Sequence, residues 1–175
     1  IAGRPESHVE EIAQPIYGKL AEGPTPVQTT ILASPGLIEL HLSARGSDVA
    51  EMTRVLESGV DALAKALEPA VVSVDGRSLE RVVGDELRTR SWTLAIAESC
   101  TGGLIGGRIT DVPGSSAWFA GGVIAYANDL KVRQLGVPAD VLASHGAVSE
   151  PVARAMADGV RRHLATDVGL AITGI

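Results

Sequence analysis

Apolar positions recur at two different periods along this chain, and their arrangement changes near its middle. Val9, Ile12, Ile16 and Leu20 fall at helical spacing behind Ser7 and Glu10, which read as an S-x-x-E capping box, with Pro15 expected to kink the helix. Residues 26–32 predict a strand and Ser34-Pro35-Gly36 a turn. Over residues 37–44, Ile38, Leu40 and Leu42 alternate with Glu39, His41 and Ser43, which predicts a hairpin with one buried face. Met52, Val55, Leu56, Val60, Leu63 and Leu67 mark an amphipathic helix, and residues 71–74 read as a strand closing at Asp75-Gly76. With a strand entering at Ile1 the order is β-α-β-β-α-β, the split βαβ pattern of a small α+β domain of ferredoxin or KH type.

Beyond Gly76 strands alternate with helices, so the boundary divides the chain into domains 1–77 and 78–175. Ser78 opens a helix over 78–90 with Leu79, Val82, Val83 and Leu87 on one face. A strand at 92–97, a helix at 101–110, a loop at 113–116, a strand at 122–126 and a helix from Asn128 follow. A short helix at 138–144 precedes a helix at 150–165, capped by Ser149 and carrying the stripe Val152, Met156, Val160 and Leu164, and a strand at 168–172 comes last. This order predicts a three-layer α/β/α domain around a mostly parallel sheet, with function at the carboxyl ends of its strands.

One such end carries Ala97-Glu98-Ser99-Cys100-Thr101-Gly102-Gly103. Two hydroxyls, a thiol and two glycines at a strand-to-helix junction place nucleophiles beside bare backbone N–H groups. The next strand ends at Tyr126, and if Asn128 caps the following helix, Lys131 stands in its first turn, where the helix dipole depresses an ammonium pKa. A partly desolvated Lys131 is then a candidate base for a serine, with the Tyr126 hydroxyl available to relay a proton. Cys100 is the rival nucleophile, although no histidine partner accompanies it and a small buried filler is its commoner role. Glu98 reads as orienting Lys131, binding a substrate hydroxyl or making a structural hydrogen bond. Trp118-Phe119 reads as core or subunit interface, Arg161-Arg162 as a solvated helix end, and His41 and His145 as residues without catalytic work.

Composition narrows the partners. The net charge is −6, and residues 1–77 hold six Lys and Arg against eleven Asp and Glu, which argues against nucleic acid or an anionic membrane as the main partner. No metal-spaced His, Cys and carboxylate cluster is present, so no cofactor or metal is expected. The single cysteine and the lack of a signal or long apolar span suit a cytoplasmic protein. The first residue is Ile1 and the last, Ile175, directly follows a strand-like run, so the chain is expected to be part of a longer one.

The stretch from Ala97 to Gly103, together with Pro113-Gly114-Ser115-Ser116-Ala117-Trp118-Phe119, Tyr126-Ala127-Asn128 with Lys131, His145-Gly146-Ala147-Val148-Ser149-Glu150 and Ile172-Thr173-Gly174-Ile175, closely resembles the C-terminal domain of the CinA family. Residues 1–77 resemble the smaller middle domain of full-length members, whose molybdopterin-binding-like N-terminal domain would precede Ile1. Family members continue past Ile175 into a glycine-rich loop, a strand and a helix that supply further substrate contacts, so the domain over 78–175 is expected to be incomplete. The resemblance implies nicotinamide mononucleotide amidohydrolase activity in pyridine-nucleotide salvage. Ser99 would be the acylated nucleophile, Lys131 the general base and Tyr126 an assisting hydroxyl. Thr101, Gly102, Gly103, Ser115, Ser116 and Asn128 are the substrate-binding candidates, with N–H groups at residues 101–103 available to an oxyanion or a phosphate. A non-catalytic nucleotide-binding regulatory module and a nucleic-acid adaptor of competence or DNA damage are the alternatives. A homo-oligomer is expected, since sheet edges and the Trp118-Phe119 pair need cover.

Overall fold

The computed structural model describes residues 1–174 and leaves Ile175, the last residue of the Ile172-Thr173-Gly174-Ile175 motif, outside the described residues. It forms two compact units, Ile1–Leu79 and Glu80–Ile175.

In the first unit, helix α1 (Glu6–Ala21), strands β1 (Val27–Ser34) and β2 (Leu37–Ala44) and helix α2 (Val49–Leu67) follow one another. The strands pair antiparallel from Val27–Ala44 to Ser34–Leu37, and Ile38, Leu40 and Leu42 turn inward as their alternation with polar residues requires. Val9, Ile38 and Leu67 form the centre of this unit's core. Asp48 caps α2 by accepting from the Glu51 N–H at 3.0 Å. Two expectations are corrected. The Ser7–Glu10 capping box does not form: α1 begins at Glu6 behind Pro5, whose ring already sets φ at −65°, so Ser7 lies inside the first turn. The helix runs through Pro15 to Ala21, with Val9 and Ala13 fully buried on its inner face. The outer strands of the β-α-β-β-α-β pattern are reduced to backbone contacts. Ala2 makes a single bridge to Leu37 and donates to the Ala70 carbonyl at 2.9 Å, while residues 71–74 form no strand.

The second unit holds α3 (Leu79–Thr89), β3 (Leu94–Glu98), α4 (Leu104–Thr110), a 3-10 turn at Ser115–Ala117, β4 (Phe119–Ile124), α5 (Asn128–Leu135), α6 (Ala139–His145), α7 (Glu150–His163) and β5 (Val168–Ile172). The sheet order is β4-β3-β5 and both pairings are parallel. The fold is thus mixed α/β, a parallel three-stranded sheet flanked by helices. Strand β3 is buried along its whole length, as an apolar central strand covered on both faces must be. Ala95 and Ala97 pack with Leu135, Val137, Val152, Met156 and Val160 on one face, and Leu94 and Ile96 pack with Leu87, Ile109 and Trp118 on the other. Gly159 lets α7 close onto α5, because a Cβ there would lie 1.9 Å from the Leu135 carbonyl oxygen.

Several boundaries moved: β3 starts at Leu94 and not at residue 92, and β4 ends at Ile124 and not at Tyr126. Strand β4 starts at Phe119 and runs through Gly121 and Gly122, residues whose poor strand propensity hid it. Helix α4 starts only at Leu104, because Gly102 and Gly103 take φ values of +60° and +106° that a right-handed helix cannot hold. Trp118 is 2% exposed within this unit and so provides no argument for a partner copy.

Candidate active site

Parallel strands deliver their carboxyl ends to one edge of the sheet, and three of them build the site. The backbone between Glu98 and Ser99 is held from both sides: the Ala125 N–H donates to the Glu98 carbonyl at 2.8 Å, and the Ser99 N–H donates to the Ile172 carbonyl at 3.0 Å. Alternation along β3 sends the two side chains to opposite faces. Ser99 meets α5, and Glu98 meets α4.

On the α5 side, Lys131 is only 1% exposed. Its Nζ donates to Ser99 Oγ at 3.0 Å, to the Ala125 carbonyl at 2.8 Å and to the Tyr126 carbonyl at 2.9 Å. Burial pulls the Lys131 pKa below the ordinary lysine value, and the nearby Cys100 sulfur opposes that shift. The helix contributes in the same direction, although Ala127 and not Asn128 is its N-cap, so Lys131 is the fourth helical residue. Once neutral, the amine keeps two N–H bonds to the two carbonyls and turns its lone pair to the Ser99 hydroxyl, which is the arrangement a general base requires.

On the α4 side, the Glu98 carboxylate is 1% exposed and accepts from the N–H groups of Gly103 (3.1 Å), Ile105 (3.1 Å) and Gly106 (2.8 Å). Burial by itself would raise the Glu98 pKa. The Thr101 hydroxyl beside it and those three N–H groups outweigh burial and hold the carboxyl below its usual range. Thr101 Oγ1 is buried without a well-formed hydrogen bond.

A family model described as the CinA C-terminal domain matches residues 76–175. The chain belongs to the CinA C-terminal domain family. Among its relatives, a CinA-like protein of Solibacter usitatus is 43% identical over 99% of the chain, and one of Koribacter versatilis is 42% identical over 97%. The chain spans 41% and 40% of those two proteins. Among solved structures, a competence/damage inducible protein (CihA) from Agrobacterium tumefaciens superposes with a TM-score of 0.51 at 38% identity, covering 55% of this chain and 58% of that one. The competence damage-inducible protein A (ComA) from Klebsiella pneumoniae gives 0.53 at 33%, covering 54% and 59%.

Within the CinA domain the expected residues separate. Ser99 and Lys131 come together. Tyr126 joins them through its carbonyl, while its side chain is 73% exposed and its hydroxyl makes no hydrogen bond among the described residues. Asn128 is exposed in the first turn of α5, three residues ahead of Lys131. Gly102 and Gly103 do not present free N–H groups: the first donates to the Ser99 carbonyl at 3.1 Å, the second to Glu98. Among the described residues, the N–H groups of Cys100 and Thr101 are the ones beside Ser99 that donate to no protein acceptor. Ser115 and Ser116 form the turn that enters β4, and Trp118 just after them accepts from the Leu94 N–H at the start of β3. They therefore lie at the opposite edge of the sheet from Ser99 of the same chain, roughly 16 Å away for a five-residue strand.

Glu98 does not orient Lys131, because α4 occupies its carboxylate. Cys100 is exposed and not a buried filler, with a Cβ on Gly174 placed 3.1 Å from its sulfur. The carbonyls of Ala125, Tyr126 and Ile172 escaped sequence reasoning, since a backbone acceptor has no residue-type signature. So did the Thr173 hydroxyl, which donates to the Ala147 carbonyl at 2.7 Å and ties the end of β5 to the loop before α7. Among the described residues no cluster of three or more His, Cys, Asp and Glu could hold a metal ion, and no helix is long and apolar enough to cross a membrane.

Proposed function

We propose that this CinA domain is an amidohydrolase that converts nicotinamide mononucleotide and water to nicotinate mononucleotide and ammonia. The observation that carries the chemistry is the buried hydrogen bond between Lys131 Nζ and Ser99 Oγ. The substrate is supported by the resemblance of the Ser99, Tyr126 and Lys131 segments to the family's pattern.

Neutral Lys131 takes the Ser99 proton as Oγ attacks the carboxamide carbon. The oxygen charge that develops falls to the free N–H groups beside the nucleophile, those of Cys100 and Thr101. The C–N bond breaks and the nitrogen leaves as ammonia with the proton held by Lys131, the exposed Tyr126 hydroxyl assisting that transfer. Water, deprotonated by Lys131, then attacks the acyl-serine, and Ser99 Oγ departs with the proton.

Ammonia release from nicotinamide mononucleotide tests this directly. The parent protein and Cys100→Ala release ammonia, while Ser99→Ala and Lys131→Ala fall by about a thousandfold or more. A parent that binds the nucleotide without releasing ammonia would overturn the reading in favour of a binding module.

A further inference from the structure

Helix α4 lacks a capping side chain of its own. Its N-cap is Gly103, in the left-handed region at φ +106°, and no side chain of the residues just ahead of the helix serves it. The acceptor comes instead from the strand on the other side of the turn, because Glu98 reaches across to residues 103, 105 and 106. Residues 98–106 are thereby closed into a ring through one fully buried carboxylate, and the nucleophile is the next residue in that ring. Backbone bonds from Ala125 and to Ile172 hold the Glu98–Ser99 link, while the Glu98 side chain, with backbone bonds from Gly102 to Ser99 and from Leu104 to Thr101, holds the far limb, where the Cys100 and Thr101 N–H groups have no protein acceptor among the described residues.

We infer that Glu98 is a positioning residue for the Ser99 nucleophile. Its carboxylate fixes the 99–103 turn so that Ser99 Oγ faces Lys131 and the Cys100 and Thr101 N–H groups stay free for the developing oxyanion. This deepens the proposed function and rests on the reading of Ser99 as nucleophile. It also closes the start of α4 to the substrate's phosphate, since a second anion would have to share three N–H groups with a buried carboxylate. The phosphate is therefore held elsewhere. Gly106 shows how closely the carboxylate is fitted, as a Cβ there would lie 3.4 Å from Glu98 Oε1 and 3.3 Å from Ile96 Cδ1. A crevice on the β4 side is lined by Ile96, Glu98, Gly103, Gly106, Val123 and Ile124.

Two variants test the role. Glu98→Ala removes the carboxylate, and Glu98→Gln keeps its shape without its charge. Each is followed by thermal melting and by the rate at which a fluorophosphonate modifies Ser99, with and without formate, a carboxylate small enough to take the vacated place. Glu98→Ala is expected to react about tenfold or more slowly than the parent. Formate restores its rate in a concentration-dependent way and leaves the parent and Glu98→Gln unchanged. Formate that raises the melting temperature of Glu98→Ala without raising its rate would make Glu98 a structural cap only and overturn the proposal. A Glu98→Gln variant that reacts at the parental rate would do the same, and that variant decides the matter if Glu98→Ala does not fold. A parent that the fluorophosphonate leaves unmodified sinks the serine-nucleophile reading and the positioning role with it. That outcome is told apart by its absence of labelling in every variant.

Discussion

Lys131 Nζ lies 3.0 Å from Ser99 Oγ, and its two other hydrogen bonds go to the backbone carbonyls of Ala125 and Tyr126. Among the described residues no carboxylate shares this contact. The Cys100 sulfur is the charged neighbour that favours the ammonium form, and burial outweighs it. A lysine held by two neutral carbonyls and a hydroxyl loses its proton more readily than one paired with Asp or Glu, which suits a base and not an anchor.

The pH dependence of serine acylation follows from that environment. The rate constant for Ser99 modification is expected to rise with pH as Lys131 deprotonates, with the midpoint below the ordinary lysine value. Stopped-flow or quenched labelling from neutral to alkaline pH measures it. A rate that keeps rising to the unperturbed lysine range without levelling would contradict a buried base.

Stability carries the same signature with a definite sign. The folded pKa of Lys131 is lowered relative to the unfolded chain, so between the two values the unfolded state binds the extra proton, and folding gains stability as pH rises through that window. Lys131→Met removes this increment. Urea unfolding of both proteins should show the parent gaining on Lys131→Met as pH climbs toward the ordinary lysine value; parallel curves would refute the assignment.

Tyr126 contributes a carbonyl whatever its side chain, so Tyr126→Phe should leave the Lys131–Ser99 contact intact. Modification of Ser99 by an activated ester, whose leaving group needs no proton, should stay within about twofold of the parent. Ammonia release, which does need one, should fall by roughly 10- to 100-fold. Equal losses in both assays would place the effect in the dyad itself.

Gly103→Ala forces an alanine to φ +106° and sets its Cβ 3.1 Å from Ile124 Cδ1. The expected loss is about 1–3 kcal/mol, read as a lower melting temperature, with slower Ser99 labelling because the strained residue belongs to the turn that Glu98 closes. Unchanged melting would show that the turn relaxes freely.

Gly84→Ala probes the face of the sheet opposite Ser99 and Lys131. Its Cβ would lie 2.7 Å from the Trp118 ring, which has no room to withdraw at 2% exposure. Overpacking of about 1–3 kcal/mol is expected, with a changed near-ultraviolet signal and a labelling rate per folded molecule close to the parent's.

Much of this protein was legible in the order of its residues. The amphipathic stripe Val152, Met156 and Val160 lies fully buried, the alternation Ile38, Leu40 and Leu42 shapes its strand, and Ser149 caps α7 by accepting from the Val152 N–H at 3.4 Å. Periodicities and caps are local: each depends on residues a few positions apart, which the chain itself holds together. The parallel α/β order and the pairing of a serine-bearing strand end with a lysine-bearing helix start follow from such local signals taken in sequence.

The tertiary structure decided what those groups do. Whether the Gly103 N–H is free depends on Glu98 crossing a turn, whether Lys131 is desolvated depends on the helices and strands that bury it, and Ser115 lies away from Ser99 because β3 and β4 run parallel. The residue types at 71–74 suit a strand, yet a strand exists only where a neighbour offers a full ladder, and among the described residues none pairs with 71–74. Hydrogen-bond occupancy and burial are properties of groups brought together from distant positions, so spacing along the chain names the candidates while packing assigns their work.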